Sequence, residues 1–103
     1  MTSDEDDLEA IRMKIADVDW RIMQAVADRM RLSSRIGRIK STKGMSIESK
    51  EVERTVLQRA RDRAGKLGLE QELVEKLFAL LIDYSKRQQR RWLADAPDRH
   101  VGA

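Results

Sequence analysis

Residues 8–43 read LEAIRMKIADVDWRIMQAVADRMRLSSRIGRIKSTK and contain no Pro. Leu8, Ile11, Ile15, Val18, Ile22 and Ala25, then Leu32, Ile36 and Ile39, recur in alternating steps of three and four residues. That spacing is the heptad seam of one continuous helix. About 35 residues rising 1.5 Å each make a rod of roughly 50 Å. A globule of about 100 residues has a radius of gyration near 13 Å, so one chain of this size cannot cover such a helix from end to end. The seam predicts a second chain.

The rest of the sequence supports the same fold class. Gly44 suits the residue after a helix end, and Ser41–Glu48 then reads as a connection. Ser49 can cap a second helix, with Glu51 and Glu53 in its first turn, Val56, Leu57, Ala60 and Ala64 on its apolar face, and Gly65 and Gly68 at its end. A third helix runs from about Glu70 to Leu93, with Leu73, Val74, Leu77, Phe78, Leu81 and Ile82 inward. The prediction is an all-α chain of three helices, the first very long, pairing as a homodimeric helical bundle. Residues 1–7, with Asp4, Glu5, Asp6 and Asp7, read as a frayed acidic tail. Residues 8–94 form the helical domain, and 95–103, with Pro97 and His100, a C-terminal tail.

Composition narrows the function. Of 103 residues 38% are charged and 4% aromatic, and there is no Cys. A β-sandwich, a disulfide-stapled fold and Cys-based metal or thiol chemistry are excluded. No apolar run is long enough to span a membrane and no signal peptide opens the chain, so the cytoplasm is the expected address. The net charge of +3 points loosely to an anionic partner. No Ser/His/Asp set, phosphate-binding Gly loop or metal signature is present; His100 stands alone. Trp20 falls outside the seam, and Arg87, Arg90 and Arg91 read as a solvated face near a helix C-terminus.

The informative positions break the apolar stripes. Arg29 is the only charged residue among ten consecutive seam positions. Lys40, eleven residues on, lies about 20° away around the helix and about 16 Å along it. A lone polar seam residue also serves to set register or to pair with a buried carboxylate. In the third helix the inward stripe turns from Leu81 to Ser85, Gln88 and Gln89 before Trp92; a helix end in solvent gives the same pattern. Glu53 opens the second apolar stripe, yet a first-turn Glu is also an ordinary helix starter. Arg12 lies about 25 Å before Arg29 on the same helix. The two can meet one small ligand only if an antiparallel partner helix brings its own Arg12 across.

Taken together, these positions resemble the all-helical AroQ-class chorismate mutases over about residues 8–92. The segments that carry the likeness are Ile11-Arg12-Met13-Lys14-Ile15-Ala16-Asp17-Val18-Asp19, Ala27-Asp28-Arg29, Ile36-Gly37-Arg38-Ile39-Lys40, Glu53, Gly68-Leu69, and Ser85 with Gln89. Each is weak alone; the ordered set is specific. The resemblance implies an intertwined homodimer that rearranges chorismate to prephenate with no metal and no cofactor. It further implies that Arg29 and the second chain's Arg12 hold two carboxylates. Lys40 and Gln89 donate to the ether oxygen, Glu53 accepts from the C4 hydroxyl, and Ser85 assists a carboxylate. The sequence departs from the family pattern at Val52, where Arg is common, at Ser49 for Asp and at Ser46 for Pro. Lys50 is the neighbouring cation that could stand in for the missing Arg.

Other readings stay open at this point. Aminodeoxychorismate mutases and isochorismate-pyruvate lyases share the fold; Glu53 argues against the lyase but does not separate a C4 hydroxyl from a C4 amine. A basic helical dimer binding nucleic acid would show its cations on an exposed stripe, whereas Arg29 lies in the seam. A helical module for a protein partner explains the seam but not the set of polar positions.

Overall fold

The structure, a computed structural model, describes residues 3–94. Three helices follow in order: α1 (Asp4–Lys43), α2 (Lys50–Leu67) and α3 (Gln71–Ala94). No strand occurs among the described residues. The all-α class and the very long first helix agree with the seam reading. The tail expected at 95–103 lies outside the described residues, together with Pro97 and His100.

The first helix begins earlier than the Leu8 at which the apolar seam starts. Asp4–Asp7 form the first turn of α1. Ser3 accepts from the Asp6 backbone N–H at 3.1 Å, and the Asp6 carboxylate accepts from Ser3 N–H at 3.3 Å. This reciprocal box satisfies two N–H groups that a helix start leaves open, and the four acidic side chains oppose the positive dipole end. At the other end Gly44 takes φ 66°, and its N–H reaches back to the carbonyls of Lys40 and Ser41. Ser49 caps α2 as its spacing suggested. Of the two Gly residues read as the end of α2, only Gly68 ends it, at φ 70°; Gly65 is helical.

Packing within the chain is lopsided. α3 lies against α2 and against the C-terminal half of α1. Ala60, Ala64 and Val74, with Phe78 against them, are the apolar core between α2 and α3. Arg61 of α2 and Glu75 of α3 close that seam with an ion pair at 2.5 Å. The α1–α3 contact uses small and polar residues instead. Ser33 and Gly37 are buried on α1, Ser85 and Gln89 on α3. Arg38 stacks over the Trp92 ring at 5.8 Å.

The N-terminal half of α1 has no cover. Ile11, Ile15 and Ile22 each expose more than half of their surface, at 53%, 53% and 54%. The molecule extends 72 Å, with a radius of gyration of 19.1 Å, against the roughly 13 Å of a globule of this length. A seam of Ile, Leu and Val on a 40-residue helix is left facing water by its own chain. Trp20, 60% exposed, lies on the surface of the chain as read from the sequence. Among the described residues no helix is long and apolar enough to cross a membrane.

Candidate active site

The polar residues that interrupt the three stripes converge. Arg29, Lys40, Glu53, Ser85 and Gln89 all line one cavity of about 210 Å3 between α1, α2, α3 and the 44–49 connection. Leu32, Ile36, Ile47, Val52, Val56 and Ile82 make up its apolar wall. Charged and hydrogen-bonding groups held against apolar walls act more strongly than in water.

The heptad seam places Arg29 on the face of α1 that meets α3. One of its terminal nitrogens, Nη1, donates to the Leu81 carbonyl at 3.3 Å and to the Ser85 hydroxyl. Burial pushes its guanidinium pKa down from the ordinary value, but a guanidinium starts so high that it stays charged. Its other donors have no protein partner among the described residues and remain for an anion. Ser85 is buried and so keeps the side of Arg29 fixed.

Lys40 stands three turns further along α1. Its Nζ donates to the Ile47 carbonyl at 3.0 Å, which ties the ammonium to the connection before α2 and leaves two donors for a ligand. Gln89 on α3 is buried, and its Oε1 makes no hydrogen bond. An unpaired buried amide oxygen costs stability, of order 1–3 kcal/mol, and it is an acceptor that a ligand donor would complete; the donors of the side chain are on Nε2.

Glu53 sits in the first turn of α2, where the sequence left it between starter and ligand. It is both. Its side chain is 18% exposed, on the cavity wall, with Oε1 2.7 Å from Lys86 Nζ. Lys86 also approaches Glu48 at 3.5 Å. The Glu53 carboxylate beside it raises the Lys86 pKa above its ordinary value, with burial opposing. Glu48 is held low by hydrogen bonds and charge from Lys50 and Lys86.

Arg12 is not in this cavity. It lies in the uncovered half of α1, 3.9 Å from Glu9. Lys50 does not fill the place of the missing Arg either: it is 75% exposed and paired with Glu48 at 3.1 Å. Two residues of consequence escaped the sequence reading. Lys86 follows Ser85 by about 100° around α3, which reads as solvent face until α2 packs there. Gly37 is the one Gly inside α1. A Cβ at Gly37 would stand 2.7 Å from Gln89 Cα, so this glycine sets how near α3 approaches. A glycine in mid-helix, costing about 1 kcal/mol against Ala, was the available signal.

The Arg residues near the C-terminus behave as a surface. Arg87 pairs with Asp83 at 3.1 Å and lies over the Tyr84 ring.

Comparison with known proteins agrees with the geometry. A chorismate mutase of Methanocaldococcus jannaschii is 27% identical over 93 residues, covering 90% of this chain and 94% of that protein. The T-protein of Haemophilus influenzae is 34% identical over 71 residues, 69% of this chain; the chain spans only 19% of that protein's length. The family model for chorismate mutase type II matches residues 11–90. With the match running from the seam of α1 to the last polar turn of α3, the chain belongs to the chorismate mutase type II family.

Proposed function

We propose that the chain rearranges chorismate to prephenate in two equivalent sites of a homodimer, by conformational restraint and by stabilising charge on the ether oxygen. The observation that carries this reading is the convergence of Arg29, Lys40, Glu53, Ser85 and Gln89 on one cavity. The reaction is unimolecular and pericyclic, so it needs no nucleophile or general base. It needs the substrate held in its compact diaxial form, which carboxylate clamps can do.

In this reading the free donors of Arg29 take one carboxylate, with Ser85 beside it. A second copy's Arg12 takes the other, its helix crossing antiparallel over the exposed seam. As the C–O bond breaks, negative charge grows on the ether oxygen. Lys40 Nζ and the Gln89 carboxamide supply donors there, fixed in advance by the Ile47 carbonyl and by burial. Preorganised donors of this kind contribute about 2.7–4 kcal/mol each to transition-state stabilisation. Glu53 accepts from the ring hydroxyl. The exposed Ile11, Ile15 and Ile22 support the dimer, since apolar surface left to water on this scale marks an interface. The cations of the cavity lie among apolar walls rather than on an exposed stripe, which supports a small anionic ligand.

The test is turnover of chorismate followed by loss of its absorbance, with wild type and Lys40→Ala. Wild type is expected to form prephenate. Lys40→Ala is expected to lose at least about 10²-fold in kcat while its helical circular dichroism and dimer mass are unchanged. Wild-type turnover with Lys40→Ala equally active would remove Lys40 from the mechanism.

A further inference from the structure

Lys86 is a cation that the reading above leaves without a task. Its side chain is 19% exposed, and it lines the cavity beside Glu53. A lysine head normally stays in water while only its stem is covered. Here the head is drawn 2.7 Å from Glu53 Oε1, and the second acid it approaches, Glu48 at 3.5 Å, lies nearer solvent and already binds Lys50. The first-turn position of α2 that could have held a cation is Val52, an apolar part of the wall. Lys86, from a different helix, is therefore the cation nearest Glu53.

This contact constrains what Glu53 can do. Lys86 Nζ forms an ion pair with Glu53 at 2.7 Å. It also balances the carboxylate charge. A neutral hydroxyl at the ring's C4 can donate to the carboxylate with nothing to oppose it. An ammonium in the same place would find its counter-ion already paired and would stand within about 6 Å of the Lys86 ammonium by ordinary hydrogen-bond lengths. The Lys86 charge at that separation, in the effective permittivity of a part-exposed pocket, costs an ammonium roughly a hundredfold in binding and so offsets much of the pull of Glu53 on it.

We propose that Lys86 is a positioning residue that clamps Glu53 as an acceptor for a neutral hydroxyl and so selects the C4-hydroxyl substrate against its C4-amino analogue. The proposal rests on the reading of Glu53 as the C4 partner.

The experiment measures kcat/KM on chorismate and on 4-amino-4-deoxychorismate for wild type, Lys86→Met, Lys86→Arg, Glu53→Gln and the Glu53→Gln/Lys86→Met double variant. Wild type is expected to prefer chorismate. Lys86→Met should narrow that preference by tenfold or more, and Lys86→Arg should keep it. In the Glu53→Gln background, adding Lys86→Met should still narrow the preference by tenfold or more, because the repulsion between the two ammonium groups does not need the carboxylate. A merely structural lysine would lower turnover of both substrates together and leave their ratio alone. Preference unchanged within threefold in folded Lys86→Met overturns the clamp while leaving the mutase intact. A wild type that takes both substrates equally overturns it without any variant. Turnover of neither by wild type overturns the mutase reading, and the clamp with it.

Discussion

Replacing Gly37 by Ala should damage catalysis far more than folding. The added Cβ would lie 2.7 Å from Gln89 Cα, 3.0 Å from its Cβ and 3.1 Å from its carbonyl oxygen. Non-bonded carbons settle at about 3.5–4.0 Å, so α3 must retreat from α1 by about 1 Å. Gln89 sits at the contact and moves most, Ser85 one turn before it on α3 moves less, and Arg29 and Lys40 both stand on α1 and keep their mutual spacing. The stability effect is a near-cancellation. Overpacking costs about 1–3 kcal/mol, and Ala in place of Gly in mid-helix returns about 1 kcal/mol. Catalysis has no such offset. A shift of ~1 Å at a reacting centre costs about 10²-fold, or about 2.7 kcal/mol of barrier at 1.36 kcal/mol per decade. The Gln89 donor would be lost from the ether oxygen, so the deficit belongs in kcat, with KM moving less than about threefold. The assay is steady-state chorismate turnover alongside thermal melts of the same preparations. Gly65→Ala is the control: its Cβ meets nothing within 4 Å of its own chain, and it should gain about 0.5–1 kcal/mol of stability with unchanged kcat. A folded Gly37→Ala with kcat within threefold of wild type would refute the argument that this close approach sets the donor.

Two further outcomes follow from the charges. Activity should be nearly flat between about pH 6 and pH 9, since no group assigned to the site ordinarily titrates there; a tenfold rise from about pH 7.5 to pH 5 would show that a neutral Gln89 is not the second donor. Stability should follow the same plateau. Glu48, held below its ordinary 4.5 by Lys50 and Lys86, contributes above that value and loses its contribution as pH falls through the lowered one. Lys86, held above 10.5 by Glu53, contributes fully below that value and loses it as pH rises through the raised one. Melts across pH 3–11 check both limbs. Arg12→Ala and Arg29→Ala homodimers should each be crippled, yet refolding an equal mixture should restore about a quarter of wild-type activity. Half of the dimers are then mixed, and one of two sites in each keeps both Arg residues. No recovery on mixing would refute the crossed geometry.

The parts legible in the sequence are those set by one helix at a time. The steps of three and four from Leu8 to Ile39 need only helical periodicity, and Arg29 declares itself by breaking them. Ser85 and Gln89 show by the same logic where α3 stops being apolar inward. What depends on two helices meeting was not legible. Lys86 turns from solvent residue to cavity residue only because α2 brings Glu53 within 2.7 Å. Gly37 has meaning only beside Gln89. The start of α1 was missed for a local reason: Asp4–Asp7 read as a polar tail, although Ser3 and Asp6 form a reciprocal cap. Capping boxes usually carry Glu or Gln at the third position, and the shorter Asp was passed over.

The charge of the cavity joins these observations to the chemistry. Arg29, Lys40 and Lys86 against Glu53 leave two net positive charges in the cavity of one chain, enough to balance the two carboxylates of the bound substrate. A second copy's Arg12 would add a third. The ground state needs only two, so in the proposed mechanism the surplus acts on charge that appears later, on the ether oxygen of the transition state. An interaction stronger in the transition state than in the bound substrate is what lowers a barrier. Lys86 matters to this balance as much as Lys40 does, though it need not touch the ether oxygen. Without it the Glu53 carboxylate would cancel one of the clamping cations, and the site would meet its dianion with nothing left over for the bond that breaks.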